Sequence, residues 1–283
     1  MQTPADRAYD ARRSDRQASK GTLWRKSHPQ QAREYKRKYR AEKGRREGVY
    51  AQMICEQRNP ITVYSDNVLV TCDYHIPFQD DCLIDYMLSV AEDNRVYDLI
   101  VAGDFWDCDN YSRHSRLTWL ESFQTEVKEV GKVLEKLVDQ FDTIYFCRGN
   151  HEKRWIDMNT GLTGMEELFA MTKIVDGYEV TLDDHLKLVQ KNQDWLICHP
   201  KNFRQVNLSV ARDLSAKFHC NVISGHGHQF AQGWDRSGKY RVADGGGLFD
   251  RDSIDYLRET TCHPVTRNGF YLVQDDDLIP FEP

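Results

Sequence analysis

Five short blocks along this chain hold the residue types that bind divalent cations. They are Asp73-x-His75, Gly103-Asp104-x-x-Asp107, Gly149-Asn150-His151-Glu152, His199-Pro200 and Gly225-His226-Gly227-His228. Carboxylate, amide and imidazole groups together make mixed oxygen–nitrogen sites that accept Mn²⁺, Fe, Zn²⁺ or Ni²⁺. Five of the ten histidines fall inside these blocks, so imidazole is concentrated there rather than scattered. Any one block alone fits a turn, or a glycine-rich loop with exposed polar side chains. Five in one chain point to a metal-dependent active site.

The chemistry such a set could do is phosphoester hydrolysis. Two divalent ions roughly 3.5–4 Å apart bind one bridging water and lower its pKa. They also clamp the phosphoryl oxygens as charge develops. A site of that kind needs a bridging carboxylate, mixed ligands and open positions. His226 and His228 lie two residues apart, which puts both imidazoles on one side of an extended segment. The glycines at 103, 149, 225 and 227 let the chain turn sharply beside the ligands.

Each block follows a short hydrophobic run, and these runs must position it. They cover 67–72, 98–102, 143–148, 195–198 and 221–224. A β-branched run with polar groups only at its end reads as a buried strand. In open α/β sheets, ligands gather at the carboxyl ends of strands. Helices are expected over 80–93, 117–140, 164–171 and 208–218, and further strands over 186–190, 230–234, 240–243 and 270–274. Leu117, Leu120, Phe123, Val127, Val130, Leu134, Leu137 and Phe141 step by three or four, a one-sided stripe for packing on a sheet. The first half is therefore βαβαβ, which implies a parallel sheet. The strand-rich end forms a second, mixed sheet.

The order of the blocks, over residues 67 to 250, resembles the calcineurin-like metallophosphoesterase superfamily, with a phage or bacterial member in view. The resemblance implies a four-layer α/β/β/α sandwich of two mixed sheets. It implies that Asp73, His75 and His228 hold one metal, that Asn150, His199 and His226 hold the other, and that Asp104 bridges them. The two divalent ions would be Mn²⁺ first, with Fe, Zn²⁺ or Ni²⁺ as alternatives. His151 would protonate the leaving group or steady the transition state. The protein-phosphatase branch of the superfamily carries Arg-Gly after the second block. Here Cys108-Asp109 stand in that place, closer to the nuclease and phosphodiesterase branches. Arg113, Arg148, Lys153 and Arg154 are cations that could replace that arginine, and His114 could reach a substrate.

Residues 1–48 look like a separate basic arm, helical or disordered, ahead of a phosphoesterase body over 49–283. They carry 15 Lys and Arg against 6 Asp and Glu, a net +9 in a chain of net charge −6. Arg33, Lys36, Arg37 and Arg40 share one helical face, with Tyr35 and Tyr39 flanking it. The arm is similar in composition to Arg/Lys/Tyr-rich segments beside some phage nuclease domains. A basic arm on an acidic body is the pattern of a polyanion-binding tail; a solvated tail is the plainer alternative. No apolar run approaches the roughly 20 residues that span a bilayer, and Met1–Pro4 opens no apolar signal region. The eight cysteines lack C-x-x-C spacing and read as reduced core residues. The expectation is a cytoplasmic enzyme without a membrane partner, cleaving phosphodiesters of nucleic acid or nucleotides through a metal-bridging hydroxide. A phosphomonoesterase and a non-catalytic nucleic-acid-binding module on the same fold are the alternatives.

Overall fold

Strands buried on both faces read as continuous hydrophobic runs, because neither side meets water. In a computed structural model, which describes residues 61–112, 122–159, 164–254 and 266–283, this is how the ligand-bearing strands sit. The elements are β1 (Thr62–Tyr64), β2 (Asn67–Thr71), α1 (Asp81–Asp93), β3 (Asp98–Ala102), α2 (Phe123–Gln140), β4 (Thr143–Cys147), α3 (Asn150–Met158), α4 (Met165–Ala170), β5 (Tyr178–Val180), β6 (His185–Val189), β7 (Asp194–Cys198), α5 (Ser209–Phe218), β8 (Asn221–Ser224), β9 (Phe230–Trp234), β10 (Arg241–Gly245), β11 (Phe270–Gln274) and β12 (Asp277–Phe281). A 3₁₀ turn covers Asp109–Tyr111.

Two six-stranded sheets result, in the orders β12-β11-β2-β3-β4-β5 and β1-β6-β7-β8-β10-β9. In the first, β2, β3, β4 and β5 run parallel, and β11 pairs antiparallel with both β2 and β12. The second is also mixed: β7 pairs parallel with β8, and β8 with β10, while β6–β7 and β9–β10 are antiparallel. Side chains of β2–β4 alternate between two cores. Val68, Val70, Ile100, Ala102, Tyr145 and Cys147 meet Leu186, Leu188, Trp195, Ile197 and Ile223 of the second sheet. Leu69, Leu99, Val101, Ile144 and Phe146 instead meet the apolar stripes of α1 and α2. On the far side, Ala211 of α5 packs with Val222 and Val242. The layers are therefore helix, sheet, sheet, helix, as expected. Each fully buried large apolar side chain contributes about 1.5–3 kcal/mol, so the two cores hold the strand ends in place.

The helix predicted from Leu117 begins at Phe123. Ser122 is extended there, and its Oγ accepts the Thr125 N–H at 3.2 Å. The upstream part of the expected helix, with Leu117 and Leu120, lies outside the described residues. Three strands escaped the sequence reading: β1 and β5, of three residues each, and β12, an edge strand containing Pro280. The block at 149–152, which alone fits a turn, opens the nine-residue helix α3. The basic arm, with Arg33, Lys36, Arg37 and Arg40, and its boundary with the body lie outside the described residues. Among those described, no helix is long and apolar enough to cross a membrane. Cys72, Cys82, Cys108, Cys147, Cys198 and Cys220 are free thiols.

Candidate metal centre

The carboxyl ends of β2, β3, β4, β7 and β8 each deliver their ligands at the first residues past the strand, and the turns are made by the ligands themselves. Asp73, His75, Asp104, His226 and His228 have φ of 52°, 49°, 50°, 72° and 50°. Left-handed backbone is uncommon outside glycine, though Asp and His are among the residues that tolerate it best. Of the four glycines expected to make these turns, Gly103 has a positive φ, +77°. The others serve close approach or leave space. The loops are laced together: the Tyr74 and His75 N–H groups both donate to the Asp104 carbonyl, at 2.9 and 3.1 Å. The His226 N–H donates to Asp73 Oδ2 at 3.0 Å.

The ligand atoms converge as two groups, linked by a third that holds His75, Asp104 and His151. Asp73, His75 and His228 bring their ligand atoms within 4.8 Å of one another, as do Asp104, His199 and His226. His75 Nε2 and His228 Nε2 face each other at 3.0 Å, and Asp73 Oδ1 lies 3.2 Å from the latter. On the other side, His199 Nε2 lies 3.0 Å from Asn150 Oδ1 and 3.0 Å from Asp104 Oδ2. Asp104 is buried, and the group beside its Oδ2 is the His199 ring. A buried carboxylate is costly unless a cation, a protonated imidazole or a metal ion, meets it.

On His75 and His199 the ring nitrogen that would face away from a cation is occupied. His75 Nδ1–H donates to Asp107 Oδ1 at 2.9 Å, and His199 Nδ1–H to the Ala102 carbonyl at 2.9 Å. That leaves both Nε2 atoms aimed into the cluster, the arrangement that fixes metal-binding tautomers. Burial favours neutral rings, but Asp107, Asp73 and Asp104 outweigh it and push His75 up to about 10. Asp104 likewise pushes His199 up to about 9. Burial alone would raise Asp104, yet His199, His151 and His75 hold its carboxyl well below the usual range. The bare site thus balances buried carboxylates with protonated imidazoles. Divalent cations would take the place of those protons, which metal binding releases. Burial and the His199 charge bring His226 down to about 4, so this ring is neutral and ready to coordinate. The donor set fits two divalent ions.

His151 stands beside this cluster without being one of the seven ligands inferred from sequence. Its N–H donates to Asp104 Oδ1 at 2.9 Å. Its Nδ1–H is held by the Asp107 carbonyl, with Asp107 Oδ1 at 3.2 Å, and its Nε2 lies 3.8 Å from Asp104 Oδ2. His151 also lies within 4.8 Å, ligand atom to ligand atom, of His75 and Asp104. Arg154 Nη1 is 3.2 Å from His151 Nδ1. Lys153 pairs with Asp157. Arg148 is half-buried, and its Nε has no hydrogen-bond partner among the described residues. Arg113 and His114 lie outside them.

Four residues support the site: Asp107 and Glu152 stand in the blocks read from sequence, where they were given no role, and Glu126 and Phe249 went unread. Asp107 orients both His75 and His151. Glu152, wholly buried, accepts the N–H groups of Asp104, Trp106 and Gly149 at 3.2, 2.9 and 2.9 Å, tying the second block to the third. Glu126 on α2 accepts the Cys108 N–H at 2.8 Å, and burial pushes its carboxyl up to about 8. Phe249 walls one side, its ring 5.5 Å from that of His75 and 4.8 Å from that of His228. Asp107 and Glu152 carried a signal, since each closes one of the blocks. Glu126 and Phe249 carried none.

Gly149 shows how tightly the second and third blocks meet. A Cβ there would overlap Asp104 Oδ1 and the Asp104 backbone nitrogen. Gly149→Ala should therefore shift the Asp104 carboxylate. A displacement of about 1 Å costs about 10²-fold in rate, so turnover with added metal should fall by about that factor. Near-normal turnover in the variant would mean that this close approach is not needed.

With the geometry in place, comparison with known proteins adds the family. The family described as calcineurin-like phosphoesterase matches residues 66–240. The chain belongs to this family. The matched span holds all seven proposed ligands of this calcineurin-like phosphoesterase, together with His151. Comparison with curated proteins found no match. Among solved structures, a Vps29 single mutant from Entamoeba histolytica is similar at 14% identity, covering 76% of this chain and 91% of that one, with a TM-score of 0.42. A predicted phosphoesterase from Streptococcus pneumoniae is similar at 11% identity, covering 77% and 98%, with a TM-score of 0.34. The Pseudomonas putida nuclease MPE is similar at 14% identity, covering 76% and 87%, with a TM-score of 0.31.

Proposed function

We propose that this phosphoesterase hydrolyses phosphodiester bonds, in nucleic acid or nucleotides, with two divalent ions of which Mn²⁺ is the first choice. The observation that carries the reading is the buried Asp104 carboxylate, whose ligand atoms group both with His199 and His226 and with His75 and His151. Asp73, His75 and His228 would hold one ion, Asn150, His199 and His226 the other, with Asp104 shared. Divalent ions held there supply Lewis acidity that activates water and draws charge from phosphoryl oxygens. His151 would hand a proton from Nε2 to the leaving oxygen while Asp107 retains the Nδ1–H and fixes the ring. Phe249 keeps water from the far side of His75 and His228.

The preference for diesters is supported at Cys108. This side chain is fully buried where the phosphatase branch carries an arginine, and no cation takes its exact place in the chain. The basic arm of residues 1–48 would add salt-dependent, sequence-independent contacts to backbone phosphates. The free, largely buried thiols suit a reducing, cytoplasmic setting.

The test is an assay after chelation and addition of Mn²⁺. Bis-nitrophenyl phosphate should be hydrolysed faster than mononitrophenyl phosphate, and neither should be cleaved before metal is returned. The opposite preference would favour a phosphomonoesterase. Inertness toward both would favour a binding module.

A further inference from the structure

Helix α2 turns one carboxyl group toward the interior. Its buried residues are Glu126, Val130, Val133, Leu134 and Leu137, and Glu126 is 2% exposed. A carboxyl group on an apolar face is costly unless a hydrogen bond meets it. Here the Cys108 N–H donates to Glu126 Oε1 at 2.8 Å. Burial pushes the carboxyl up to about 8 even against that bond, so near pH 7 it is mostly protonated and neutral. A leucine would pack this helix face without the cost, so packing does not account for the residue.

The Cys108 N–H and the Asp107 carbonyl belong to one peptide group, and a peptide group is a rigid plane. The carbonyl end of that plane accepts the Nδ1–H of His151. Asp107 Oδ1 also approaches this nitrogen, at 3.2 Å, but it is shared with His75. One amide therefore links Glu126 on its N–H side to the His151 ring on its carbonyl side. Cys108 stands at a φ of 48°, in left-handed backbone that is costly for a residue with a side chain. Rotating the plane would relieve that strain and swing the carbonyl away from His151. The bond to Glu126 opposes the rotation.

We propose that Glu126 is a positioning residue for the proton donor, holding the Asp107–Cys108 peptide so that its carbonyl keeps the Nδ1–H of His151 in place. The proposal rests on the reading of His151 as the group that protonates the leaving oxygen. Two diesters of one thymidylyl group separate the effects. Its nitrophenyl ester has a leaving group that needs little acid, and a thymidine dinucleotide has an alkoxide that needs it. The quantity read is the ratio of kcat for the dinucleotide to kcat for the nitrophenyl ester, with Mn²⁺. Misplacing a catalytic group by about 1 Å costs about 10²-fold, so Glu126→Leu should lower that ratio by about 10- to 100-fold. Glu126→Gln keeps an acceptor oxygen, resembles the neutral acid and should restore most of it. Glu126→Met, also without an acceptor, covers a Glu126→Leu protein that fails to fold. Loss of folded protein lowers both rates together and leaves the ratio alone. Added to His151→Gln, Glu126→Leu should lower the ratio no further, since the group it positions is gone. An unchanged ratio in folded Glu126→Leu or Glu126→Met, beside a lowered ratio in His151→Gln, overturns the positioning role and leaves the proton donor standing. A further drop in the double variant, or a Glu126→Gln loss as large as that of Glu126→Leu, overturns it as well. An unchanged ratio in His151→Gln overturns the proton donor and the positioning role together.

Discussion

Asp104→Asn should lose turnover by about 10³-fold or more while remaining folded. The side chain is 1% exposed, and its two oxygens do different work. Oδ1 accepts the His151 N–H, a bond that an asparagine carbonyl reproduces. Oδ2 faces His199 at 3.0 Å and His151 at 3.8 Å, and there an amide would bring a neutral nitrogen with its own hydrogens. The size is unchanged, and asparagine accepts a φ of 50° as readily as aspartate. The fold should therefore survive while the shared ligand is lost. Removing that buried negative charge also removes the leading influence that holds His199 up to about 9. Circular dichroism, metal content and kcat for a diester, measured on one preparation, check the result. Near-normal turnover in a folded variant would end the dinuclear mechanism.

His151→Gln should keep both metals and lose rate, most for substrates with poor leaving groups. Positioned acid catalysis is worth about 10²–10⁴-fold, and nitrophenolate departs with little help. Dinucleotide or alkyl diesters should therefore suffer far more than nitrophenyl diesters. The geometry supports a proton donor: Nδ1–H is engaged by Asp107, which leaves Nε2 as the atom free to give a proton up. Glutamine fills much of the same volume without a titratable nitrogen. Equal losses for good and poor leaving groups would remove His151 as the donor. Loss of metal as well would make it a ligand beside His75 and Asp104, which its position also permits.

The metal-type residues were legible because each follows a strand whose side chains are buried on both faces. Hydrophobicity over 67–72 or 98–102 stops where the ligands start, so the strand end and the site residue are read together. The four-layer order followed from the family resemblance and from the βαβαβ start. What stayed hidden has physical causes. Thr62–Tyr64 and Tyr178–Val180 are too short to show a period, and Pro280 argues against a strand unless it lies at an edge, as it does. Glu126 looks like any surface carboxylate until the fold buries it against the Cys108 N–H, and the supporting roles of Asp107 and Glu152 within their blocks appear only with the fold. Phe249 looks like a core residue in sequence. Only the fold places it behind two of the site's histidines.

The left-handed backbone at Asp73, His75, Asp104, His226 and His228 sets stability and activity against each other at the same positions. Backbone strain of this kind costs on the order of 1–3 kcal/mol per residue. Glycine would relieve it at every one of the five, and none of those glycines could hold a cation. Selection for thermal robustness alone, in the laboratory or in nature, would therefore wear the site away one ligand at a time and leave the sandwich standing. Descendants of such a chain that had lost catalysis should be recognised by glycine or asparagine at the ends of intact strands.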